Sequence, residues 1–101
     1  MDFEQLNKDQ SLKSTLRLLA DKFGENNFKL KDHWEEDSCA IGITDNEEKY
    51  LVYLSTNGDK GFYVSLENLK ESDDFPYEPA GDFDNLNIDE LEAIVAQHLR
   101  L

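Results

Sequence analysis

Leu12, Leu16, Leu19 and Phe23 recur at spacings of four, three and four, which places them on one stripe of an α-helix. Gly24 follows as a stop, and either Asp9 or Ser11 can supply the N-cap oxygen. Phe3 and Leu6 are out of phase with the stripe, so the first eight residues read as a separate short turn or a frayed lead-in. From Asn27 the period becomes two. Phe28 and Leu30, with Trp34 next in the same phase, alternate with Lys29, Lys31 and His33, as in a strand with one covered face. Cys39, Ile41 and Ile43 alternate with Ala40 and Gly42 in a second strand, and Asp45-Asn46 supplies turn chemistry before the β-rich run Tyr50 to Leu54. Asn57-Gly58 tolerates the positive φ angles of a tight hairpin turn and separates that run from a fourth, Phe62 to Leu66.

After Leu69 the hydrophobic period stops. Pro76, Pro79 and Gly81 break any helix while Phe75, Tyr77 and Phe83 remain as apolar anchors, so this stretch is expected to be a long acidic loop. Helix then resumes. Asn87 and Glu90 have capping-box spacing, Leu86 and Leu91 stand where a hydrophobic staple would, and Leu91, Ile94, Val95 and Leu99 form the stripe. Asp89, Glu90 and Glu92 favour the positive start of this helix and Arg100 its end.

The expected fold is α+β in the order α-β-β-β-β-α, a four-stranded antiparallel meander with the N- and C-terminal helices packed on one face. Connections this short leave no space for crossover helices. On the third strand Tyr50, Val52 and Leu54 make one apolar set, but Leu51 and Tyr53 make the other face nearly as apolar, so that face is either covered or used for binding.

A length of 101 residues fits a single domain, 1–101, with one modest core. Its 39% hydrophobic and 11% aromatic content is too rich for a disordered chain, despite a net charge of −13. That charge opposes direct binding to nucleic acid or to anionic lipid. Neither a signal-peptide start nor an apolar run of membrane-spanning length is present, and the lone Cys39 cannot form an internal disulfide; a cytoplasmic protein, monomeric when alone, is expected.

Catalytic and metal chemistry find little support. His33 and His98 have no Cys or His at metal-ligand spacing, and Cys39, on the Ile41/Ile43 side of a strand, reads as a small buried hydrophobe with no activating neighbour. Gly58 to Gly61 lies in a hairpin and lacks the strand-loop-helix setting of a phosphate cradle. Asp82-x-Asp84 opens like a calcium loop, but Leu86, Asn87 and Ala93 then occupy positions that need a ligand, a glycine and a second ligand. No enzyme activity, cofactor or metal is expected.

Charge placement is more informative. Between Lys70 and Arg100 stand nine carboxylates and no Lys or Arg. Asp89, Glu90 and Glu92 are accounted for by the helix start; the remainder, Glu71 to Asp84, interleaves six acids with three aromatics and two prolines. An acidic run of this kind is ordinarily a solvated surface that maintains solubility. Acids flanking large apolar side chains also suit an interface, where rings anchor and charges steer a basic partner. Asp73, Asp74, Tyr77, Glu78, Asp82 and Asp84 are the candidate partner-binding residues.

The chain as a whole resembles small bacterial immunity proteins, which neutralise contact-dependent or secreted polymorphic toxins in the cytoplasm. The resemblance lies in the size, the acidic balance, the short meander and the closing helix Asn87 to Leu99. It implies a cognate toxin domain as partner, commonly a basic nuclease, whose active site or substrate groove is blocked; the acidic loop would then stand in for nucleic-acid phosphates. Leu18-Leu19 through Phe23-Gly24, followed by Cys39 to Asp45, is similar to the opening of type III secretion chaperones, acidic dimers that hold an effector segment. That second resemblance covers the first half only and lacks the middle helix and further strands of the family.

Overall fold

A computed structural model describes residues 3–31, 38–56, 61–69 and 77–101. The apolar stripe near the N-terminus forms helix α1, Gln10–Phe23, with Leu12, Leu16, Leu19 and Ala20 buried. Asp9 occupies the N-cap position in extended conformation, and its side chain makes no capping bond. Its backbone N–H instead donates to the carbonyl of Ser38 at 2.7 Å, tying the helix start to the turn that leads into the strand beginning at Ala40. At the other end Gly24 adopts φ +89, and a Cβ there would come within 2.8 Å of the Asn27 side chain. Glycine fills that position without strain or clash. The lead-in is a 3-10 turn, Phe3–Gln5, and Phe3 enters the core with 5% exposure, so these residues add apolar burial out of phase with the helix.

Five strands follow: β1 Lys29–Lys31, β2 Ala40–Thr44, β3 Tyr50–Ser55, β4 Phe62–Leu69 and β5 Tyr77–Leu86. They pair antiparallel in sequence order, with β3 central and β1 and β5 at the edges. Helix α2, Ile88–Leu99, closes the chain. The α+β class and meander are as expected, and one strand more is present. Where a long loop was expected, residues from Tyr77 onward form β5, because an edge strand tolerates what an inner one does not. Pro79 pairs opposite Glu67 at the edge, and two register shifts absorb the irregular residues. Ala80 is extra at one shift, and Asp84 with Asn85 stand opposite a single β4 residue at the other, where Asn85 takes φ +58. The expected Asn57-Gly58 turn, His33, Trp34 and the segment from Lys70 to Pro76 lie outside the described residues.

Side chains alternate across the sheet, so the pairing defines rows. Ile41, Leu54, Val64 and Phe83 form one row on the helix side; Leu30, Ile43, Val52, Leu66 and Gly81 form the next. The inner members of these rows, Phe28 and the buried residues of both helices make a single core cluster. Across the sheet, Leu51 is 1% exposed, and Ala40, Thr44 and Ser55 are buried as well. Leu51 is therefore a packed residue, and the second face is covered there.

Helix α2 begins as its sequence specifies. Asn87 Oδ1 accepts from the Glu90 N–H at 2.8 Å, and Glu90 Oε1 accepts from the Asn87 N–H at 3.0 Å. Asn87→Ala removes one half of this reciprocal pair and should lower unfolding stability by about 1 kcal/mol, read from chemical denaturation at constant m. The helix ends at Arg100, in left-handed conformation with φ 59. Lys22 of α1 and Glu92 of α2 pair at 2.5 Å, and this hydrogen bond holds the Lys22 ammonium above its ordinary pKa.

Candidate functional site

Two linear features of the sequence become one spatial feature in the sheet. β1 carries Lys29 and Lys31 at one edge; β5 carries Glu78, Asp82 and Asp84 at the opposite edge. Lys31 is paired with Glu48 of the β2–β3 turn, whose carboxyl it holds below the usual range by that hydrogen bond, so part of the β1 charge is internally neutralised. The β5 edge has no comparable cation among its described residues. Every residue from Glu78 to Asn85 is exposed.

The candidate residues divide as follows. Tyr77 opens β5, its backbone paired opposite Leu69. Glu78, opposite Asn68, belongs to the helix-side face; Asp82, opposite Ser65, belongs to the other. Asp82 accepts at 3.5 Å from the Tyr63 hydroxyl, and the Tyr63 ring meets Tyr53 edge-to-face at 6.2 Å. Asp84 accepts at 2.8 Å from the Asn85 N–H, at the second register shift. The strand thus distributes its acids over both faces and along the rim, giving a charged edge and no convergent carboxylate pocket. Asp73 and Asp74 lie outside the described residues.

The sequence reading did not anticipate a groove on the helix side of this edge. Helix α2 packs mainly over β3 and touches β4 and β5 less, and the two core rows become exposed at their β5 ends. What emerges is a depression of about 310 Å³ lined by Leu66, Phe83, Ile94, Gln97, His98 and Arg100. Phe83 is 46% exposed, one of three large apolar side chains so exposed among the described residues. Gly81, in the row next to Phe83, takes φ +128, and the space where its Cβ would stand is empty.

Two polar members of the groove wall, His98 and Arg100, are engaged in the fold. His98 Nε2 donates to the Glu67 carbonyl at 2.9 Å, and its ring meets Tyr50 edge-to-face at 5.6 Å. The Arg100 guanidinium lies 4.8 Å from the centre of the Tyr50 ring. These contacts fasten the end of α2 to β3 and β4 and give His98 a place in the packing of the fold. Cys39 just precedes β2 and is half-buried, less enclosed than expected, with Sγ 3.9 Å from Ser55 Oγ. Among the described residues no group of three or more His, Cys, Asp or Glu is placed to hold a metal ion, and no helix is long and apolar enough to cross a membrane.

Comparison of the chain with protein-family models, with curated proteins and with solved structures finds no match in any of the three.

Proposed function

We propose that the protein is an immunity-type inhibitor that binds a basic, nuclease-like toxin domain and blocks its active site or substrate groove. The observation that carries this reading is the β5 edge: eight consecutive exposed residues bearing three carboxylates, on the side of the sheet away from Lys29 and Lys31. A row of acids on an extended strand offers a basic cleft the charge pattern of a phosphate backbone. The toxin's own substrate charge would be mimicked without any nucleic acid being bound by the inhibitor.

Mixing the purified chain with the product of the adjacent reading frame tests this. A one-to-one complex should form, toxin activity should fall to background at one equivalent, and affinity should drop about tenfold or more between low and 0.5 M salt as screening shortens. Association indifferent to salt would remove the acidic edge from the contact. A stable dimer gripping an extended segment of the neighbouring protein would instead establish the effector-chaperone reading.

A further inference from the structure

We propose that the groove between β5 and α2 seats an apolar side chain, aromatic or branched aliphatic, presented by a basic partner protein. The proposal rests on the reading of a basic protein partner and adds the position of its anchor. Three observations meet here. The rows Ile41–Leu54–Val64–Phe83 and Leu30–Ile43–Val52–Leu66–Gly81 are buried at their inner members and exposed at their β5 ends, so the core continues to the surface there as an apolar floor. Phe83 and Leu66 supply that floor and Ile94 supplies a wall, and beside them on β5 the exposed Gly81 carries no side chain that could cover them.

His98 and Arg100 do not make this an anion site, because one is hydrogen-bonded to the Glu67 carbonyl and the other is held over Tyr50. Charge decides the occupant. Glu78 lies on the groove face of β5 and Asp84 is exposed at its second register shift, while Asp82 adds its charge from the other face of the same strand. A second copy of this chain, with a net charge of −13, would bring the same sign to the same edge. A partner with Lys or Arg around a protruding apolar residue satisfies both the groove and its rim. Such a buried anchor holds affinity, while the surrounding acids govern encounter.

The test uses a Lys-rich synthetic peptide with one central Phe and a twin with Ser in its place. The Phe peptide should bind about tenfold more tightly than its twin. It should shift the backbone amides of Leu66, Phe83 and Ile94. Phe83→Ser, chosen because the exposed ring can be lost without opening the core, should reduce the Phe peptide to the affinity of its twin, with the melting transition retained. Equal affinities for the two peptides, or amide shifts confined to other elements, would overturn the proposal; so would shifts at these residues that depend on protein concentration with no peptide present, which would make the occupant a second copy. Failure of the inhibitor reading looks different: the Phe peptide fills the groove, yet no toxin is neutralised. A toxin complex whose affinity ignores Phe83→Ser would sink the groove and leave the inhibitor reading standing.

Discussion

Leu54→Ala should destabilise the protein by about 3 kcal/mol, a loss visible as a melting transition lower by about 12 °C or more. Leu54 is fully buried at the centre of the sheet, between Ile41 on β2 and Val64 on β4, each of them fully buried too. Truncating it removes contacts on both flanks and leaves a cavity that two neighbouring strands, fixed by their hydrogen bonds, cannot close. A domain of this size has about 5–15 kcal/mol of stability in all, so the loss is a large share of the whole. Phe83→Ala provides the internal contrast. It stands in the same row but is 46% exposed at the edge, and its removal should change stability by only about 0.5 kcal/mol. Similar melting losses for both variants would show that the outer end of the row is as load-sharing as its centre, and would count against the groove as an open surface.

That contrast also shows what the sequence can and cannot say. The first four strands, both helices and the capping box were legible because the hydrophobic period and the flanking turn or cap residues mark each of them. Leu12, Leu16 and Leu19 are buried together, as their spacing requires. Asn87 and Glu90 exchange both hydrogen bonds, as their spacing suggests. β5 was not legible. Its alternation is broken by two register shifts, and Pro79 and Gly81 carry loop signals that an edge strand can absorb. Neither was the face of each acid, since each extra residue in a bulge changes which side the next side chain takes. The groove depends on how far α2 reaches across the sheet, a property of packing that no local pattern encodes. Leu51 gave an ambiguous signal for a related reason: a central strand buried on both faces has no alternation from which to choose.

If the protein binds a basic partner as proposed, changing Asp73, Asp74, Glu78, Asp82 and Asp84 together to their amides should slow that association by about tenfold or more at low ionic strength. Dissociation should change much less, because exposed charges act mainly on the approach while a seated anchor governs release. The fold should survive, since exposed carboxylates contribute little to stability and the removal of like charges relieves repulsion in the compact state. Stopped-flow association at several salt concentrations reads the effect directly: the wild-type rate should fall steeply with salt and the variant rate only slightly, the two converging at high salt. Lys29→Gln separates local from overall charge. It makes the whole molecule more negative at the far edge of the sheet without touching β5. If steering comes from the acidic edge, this variant should associate at close to the wild-type rate. An amide variant as fast as wild type at low salt would move the contact away from Glu78, Asp82 and Asp84, and would leave their charge with the ordinary task of keeping an acidic surface solvated.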